Sequence, residues 1–185
     1  MHNRYTFIAI EGVDGIGKTT IARRLVKNLN AFYMKVPPPS FKWVARLLDK
    51  FCNPEIESIG YYLLAIYTSF LIRRLLKRRS VICDKYILTT IVDQTVLGGK
   101  IIHLIKRIRY FFILKPDYTF CLTIFDKNDL DKRLRERNID MNDKQLLPYW
   151  QQINQQYQTF LEVLPIETTY KNIDEVLAQI YKYLK

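Results

Sequence analysis

The sequence predicts an α/β fold, a five-stranded parallel sheet with helices on both faces, and three observations lead there. Short apolar runs alternate with longer amphipathic stretches along the whole chain. Parallel strands need helical crossovers, so this alternation is the pattern of a sheet wrapped on both sides. A glycine-rich turn joins the first apolar run to the first helical pattern, and 49% of the 185 residues are apolar, enough for one domain with a full core.

Residues 5–11 (YTFIAIE) read as a buried strand ended by glycine. Residues 18–29 follow as a helix, with Ile21, Leu25, Val26 and Leu29 on one face. Residues 32–36 form a second strand, stopped by Pro37, Pro38 and Pro39. Residues 41–51 read as a helix with Ser40 as its N-cap, and 54–79 as one long helix with Pro54 in its first turn. A third strand, 80–83, ends at Asp84. Residues 88–96 make a helix closed by Gly98 and Gly99, and 101–114 a basic amphipathic one. Residues 118–124 are a fourth strand, 128–137 and 143–163 helices, 166–168 a short fifth strand, and 173–184 a helix capped by Asn172. No repeat or linker interrupts the pattern, so a single domain over 1–185 is expected.

Charge and composition narrow the function. The net charge is 29 − 18 = +11. Such a chain suits nucleic acid or a polyphosphate ligand. The clusters at Arg73, Arg74, Lys77, Arg78 and Arg79, and at Lys106, Arg107 and Arg109, have the spacing of solvated helix faces. No apolar run reaches the ~18 residues of a membrane span, and no secretion pattern opens the chain, so a cytoplasmic protein with no membrane partner is expected. Cys52, Cys83 and Cys121 lack the paired spacing of a metal site, and the last two read as small buried side chains.

The specific signal is the loop Gly12, Val13, Asp14, Gly15, Ile16, Gly17, Lys18, Thr19, which matches G-x-x-x-x-G-K-[ST] between a strand and a helix. The glycines allow the amide groups to converge on phosphate oxygens, and the helix start adds its positive dipole end. Lys18 brings a point charge to the β/γ-phosphates and Thr19 a hydroxyl to Mg²⁺. Asp84, after three apolar residues, is the expected second Mg²⁺ partner. The fold class is then a P-loop NTPase three-layer sandwich, with ATP and Mg²⁺ as cofactors.

Extended by Glu11 and Thr20, the loop reads E-G-V-D-G-I-G-K-T-T. It resembles the thymidylate kinase family, whose loop is E-G-x-[DE]-G-x-G-K-[ST]-T. Three further matches follow in the family's order. Lys35-Val36-Pro37 stands for [RK]-x-P; the run from Asp84 to Gln94, D-K-Y-I-L-T-T-I-V-D-Q, stands for D-R-Y-x-x-S-x-x-A-Y-Q; and Lys132-Arg133-Leu134-Arg135-Glu136-Arg137 stands for an arginine-rich lid. The resemblance implies phosphorylation of a nucleoside monophosphate, dTMP foremost, by ATP. It implies a role for Asp14 near the acceptor 3′-hydroxyl and the metal, and for Lys35, Pro37 and Lys85 at the acceptor phosphate. Tyr86 and Gln94 match positions that line the nucleoside pocket. Because Gly15 leaves the loop without an arginine, the lid is expected to supply the catalytic cation through Arg133 or Arg137, with Arg135 over ATP, in a lid of about 132–145. Family members pair as homodimers through long helices; residues 61–72 are a candidate surface, with buried core as the alternative.

The chain departs from the pattern at Lys85, where the family has arginine, and at Asp93, where it has tyrosine; no arginine lies between Arg46 and Arg73 to read the base. Three other functions stay open on the sequence, one of them a kinase homologue that binds nucleotides without turnover, which the substitutions at Lys85 and Asp93 keep open. A deoxynucleoside kinase needs a carboxylate after the second strand, where Lys35-Val36-Pro37 stands instead. A nucleotide-dependent nucleic-acid-binding protein needs an extra module or basic tail, for which 185 residues leave no room.

Overall fold

The computed structural model describes residues 5–50, 53–136 and 147–184. The five strands are β1 (Phe7–Gly12), β2 (Phe32–Lys35), β3 (Val81–Asp84), β4 (Tyr118–Thr123) and β5 (Val163–Glu167). They form one sheet in the order β2-β3-β1-β4-β5, with every pairing parallel. The central strands are apolar at consecutive positions because both faces are covered. In β1, Phe7, Ile8, Ala9 and Ile10 are all buried, as are Val81, Ile82 and Cys83 in β3. Cys83 and Cys121 are buried free thiols, while Cys52 lies outside the described residues.

The helices are α1 (Lys18–Asn28), α2 (Lys42–Lys50), α3 (Pro54–Leu75), α4 (Ile87–Val96), α5 (Ile101–Phe112), α6 (Lys127–Arg135), α7 (Trp150–Gln158) and α8 (Ile173–Tyr181). Several bounds differ from the expectation, each for a local reason. Ser40 does not cap α2: it sits inside a 3₁₀ turn, Pro39–Phe41, that precedes the helix. The cap of α3 is Asn53, whose side chain accepts from the Glu55 and Ile56 amides. That helix ends at Leu75, and Arg78 and Arg79 belong to the hydrogen-bonded turn after it. The single helix expected over 143–163 is a 3₁₀ turn, Leu147–Tyr149, followed by α7 and then β5, with 143–146 outside the described residues. Asn172 caps α8 through a full capping box with Glu175, as its spacing required.

The stretch 61–72 proves to be core and surface at once. Tyr62, Leu64, Ala65 and Ile72 are buried, whereas Leu63 is 58% and Phe70 56% exposed. Among the described residues no helix is long and apolar enough to cross a membrane.

Candidate active site

The C-terminal ends of β1 and β3 and the start of α1 meet at one point, and the phosphate loop lies there. Gly12 has φ 130°, and a Cβ at this position would stand 2.4 Å from the Leu122 carbonyl oxygen of β4. Glycine alone allows that approach. Gly17, at φ 112°, is the N-cap of α1. The ammonium of Lys18 is buried and turned back over the loop. It donates to Gly12 O at 2.8 Å, Val13 O at 2.7 Å and Asp14 Oδ1 at 2.9 Å, which uses its three donors.

Parallel register sets Lys35 of β2 opposite Asp84 of β3. Asp84 Oδ2 accepts from Thr19 Oγ1 at 2.5 Å and from the Tyr33 hydroxyl at 2.8 Å, with Lys35 Nζ 4.0 Å away. The other oxygen, Asp84 Oδ1, is buried and has no hydrogen-bond partner among the described residues. A hard-oxygen pair of carboxylate and hydroxyl, with one oxygen open, fits Mg²⁺, which takes one or two protein ligands and fills its shell with phosphate and water. Among the described residues no group of three His, Cys, Asp or Glu side chains gathers as a metal cage. Tyr33 escaped notice in the sequence, although its signal was there: two residues from Lys35 on one strand, it points to the same side.

Beyond Asp84 the chain turns through Lys85 in the left-handed region, φ 67°. This conformation costs a non-glycine residue about 1 kcal/mol or more and clusters at functional sites. It brings Lys85 Nζ to 2.7 Å from Asp14 Oδ1, the oxygen already held by Lys18. Burial pushes the Asp14 carboxyl up, but the two ammonium groups outweigh it and hold it well below the usual carboxylate range.

Helix α4 forms a wall beside this cluster, with Thr89, Thr90, Asp93 and Gln94 as a polar strip along it. Thr89 donates to Glu11 Oε2 and accepts from the Tyr157 hydroxyl at 3.1 Å. Glu11 is fully buried at the root of the loop, and its Oε1 has no hydrogen-bond partner among the described residues. Burial pushes Glu11 up to about 7 against the pull of Thr89, the Tyr86 amide and Lys18. Asp93 is also pushed up to about 7, by burial and by Asp14, with Lys85 opposing. Gln94 Nε2 donates to Glu57 Oε2 of α3 at 3.0 Å.

Two expected positions have their polar groups held within the protein. Tyr86 is 1% exposed, its ring packs edge-on against Phe7 at 5.1 Å, and its hydroxyl lies 2.5 Å from Ser69 Oγ and 3.0 Å from Leu114 O. Arg133 folds back onto the protein. Its guanidinium makes a fork on Asp129 (Nε–Oδ1 3.1 Å, Nη2–Oδ2 2.9 Å) and reaches Ile16 O at 3.1 Å, Thr168 Oγ1 at 3.4 Å and Thr168 O at 2.6 Å. All five donors are used within the protein. Arg133 thus ties α6 to the phosphate loop and to the turn after β5. These three segments enclose a pocket of about 620 Å³, lined by Ile16, Thr20, Arg24, Arg133 and Asn172 among others. Arg135, some 200° further round α6, is exposed and faces away. Arg137 and most of the expected lid, 132–145, lie outside the described residues. Pro37 follows Lys35 through a cis Val36–Pro37 bond.

A phosphate loop on a parallel sheet of order β2-β3-β1-β4-β5, with an open pocket beside it, defines a P-loop phosphotransferase. The thymidylate kinase family model matches residues 10–180. A probable thymidylate kinase of Methanocaldococcus jannaschii is 32% identical, over 97% of this chain and 95% of its own. The thymidylate kinase of Staphylococcus haemolyticus is 24% identical over 96% of each. In fold, the thymidylate kinase of Candida albicans superposes with a TM-score of 0.75, covering 98% of this chain and 91% of its own at 24% identity. The chain belongs to the thymidylate kinase family.

Proposed function

We propose that this chain, as one kinase domain, transfers the γ-phosphoryl group of ATP to the 5′-phosphate of dTMP. The observation that carries the reading is Asp14 Oδ1 held between Lys18 at 2.9 Å and Lys85 at 2.7 Å. Donor and acceptor phosphates repel each other, and here one cation from each side converges on a single oxygen.

ATP lies with its phosphates on the loop amides and Lys18, and its nucleoside in the 620 Å³ pocket. The acceptor phosphate lies between Lys35 and Lys85, with its nucleoside along α4 toward Gln94. An acceptor phosphate oxygen attacks the γ-phosphorus, the bond to the β–γ bridging oxygen breaks, and ADP leaves. Thr19 and Asp84 would hold Mg²⁺, which would supply neutralisation of the phosphate charge. The chain's own part is positioning. Lys18 and Lys85 pull the two phosphates together, Asp14 keeps both cations in place, and Arg133 fixes the donor pocket.

We also propose a homodimer. Ile56, Ile59, Leu63, Tyr67 and Phe70 are exposed, and at 100° per residue they fall within about 80° on one face of α3. A contiguous apolar stripe of this kind marks an interface.

The test is turnover. Purified protein with Mg-ATP and a panel of deoxy- and ribonucleoside monophosphates is expected to release ADP fastest with dTMP. No ADP release with dTMP would overturn the reading.

A further inference from the structure

Gln94 and Glu57 form a buried pair whose polarity is fixed by chemistry. Gln94 is 4% exposed. Its Nε2 donates to Glu57 Oε2 at 3.0 Å, while its Oε1 is buried with no hydrogen-bond partner among the described residues. A carboxylate only accepts, so the amide cannot turn over: the nitrogen must face Glu57 and the oxygen must face the other way. A buried amide oxygen without a donor is costly, and the cost is removed by a ligand that brings one.

The position fits a ligand. Helix α4 starts at Ile87, two residues after Lys85, and Gln94 lies seven residues further on, about 10 Å along the axis at 1.5 Å per residue. That is a nucleotide's length from the phosphate end of the cleft. Thymine presents one N–H donor once N1 carries the sugar: N3–H, flanked by the O2 and O4 acceptors. In the same pose cytosine presents a lone pair at N3.

We infer that Glu57 is a positioning residue that locks the Gln94 amide with its oxygen toward the acceptor base, so that the site takes bases with N3–H and rejects cytosine. The inference rests on the dTMP reading above and adds the device that sets its base preference. Glu57 touches no substrate; it acts through Gln94. Glutamine at 57 can donate or accept, which releases the lock. Lysine at 57 can only donate, which draws the Gln94 oxygen to itself and turns the nitrogen toward the base.

The experiment compares kcat/KM for dTMP and dCMP in the wild type, Glu57→Gln and Glu57→Lys. The ratio cancels a general loss of active protein, and equilibrium binding of labelled dTMP and dCMP gives the same ratio for a variant too slow to assay. The dTMP:dCMP ratio is expected to fall at least tenfold in Glu57→Gln and further in Glu57→Lys. A wild type that turns over dTMP, with a ratio unchanged in both variants, overturns the role of Glu57 and leaves the kinase reading standing. A wild type inactive on dTMP overturns both.

Discussion

Lys85 Nζ stands 2.7 Å from Asp14 Oδ1, although the two residues lie on different turns at the ends of β3 and β1. The contact joins the turn after β3 to the phosphate loop, because Lys18 holds the same oxygen from the start of α1. Losing the Asp14 charge leaves two ammonium groups to repel each other at the transfer point. Asp14→Asn is expected to lower kcat about a hundredfold, the usual cost of a displaced catalytic group. Lys85→Gln is expected to raise the KM for dTMP at least tenfold with little change in the KM for ATP. Steady-state kinetics with each substrate varied in turn checks both, and equal rises in the two KM values would place Lys85 elsewhere.

Glu11 makes stability depend on pH in a direction opposite to a salt-bridged acid. Its carboxyl ionises near 4.5 when unfolded and near 7 when buried. Between those values the folded chain binds the extra proton, so its contribution is full below about pH 4.5 and is lost as pH rises through 7. The loss is about 3 kcal/mol, taken from 1.36 kcal/mol per unit. Urea unfolding from pH 5 to 8 should show this decline in the wild type and a flatter profile in Glu11→Gln. Equal slopes would mean that Glu11 is solvated or otherwise paired.

Arg133 is held by an ion pair on its own helix. Its pair with Asp129 is largely buried, with side-chain exposures of 19% and 9%. Arg133→Ala leaves that carboxylate unpaired and is expected to cost about 2 kcal/mol, below the 3–5 kcal/mol of a fully buried pair. The melting temperature should drop and the KM for ATP rise. An unchanged melting temperature with a collapsed kcat would return Arg133 to the reacting phosphates.

The α3 stripe predicts a second copy of the chain. Leu63→Glu with Phe70→Glu puts charge at its centre, and both positions are exposed in the single chain. Sedimentation should show a dimer for the wild type and a folded monomer for the double variant. A monomeric wild type would sink the proposal.

The order of the elements was legible in the sequence, because buried parallel strands are short apolar runs and helices repeat with a period near 3.6. The loop was legible too: Gly12, Gly17, Lys18 and Thr19 fall within one short stretch of chain, so their spacing alone carries the geometry. Element ends were less so, since Ser40 and the end of α3 depend on which backbone groups find partners. What only the tertiary structure decided was the direction of side chains between elements. Arg133 looked like a lid cation from its neighbours in sequence, but Asp129, Ile16 and Thr168 take all its donors. Tyr86 sits in a run that matches the family's pocket-lining pattern, yet its hydroxyl is held by Ser69 and Leu114. The pairing of Lys85 with Asp14 and of Gln94 with Glu57 joins residues 71 and 37 positions apart. Periodicity reports which face of an element is apolar; which distant group meets a polar side chain is set only when the sheet brings the strand ends together.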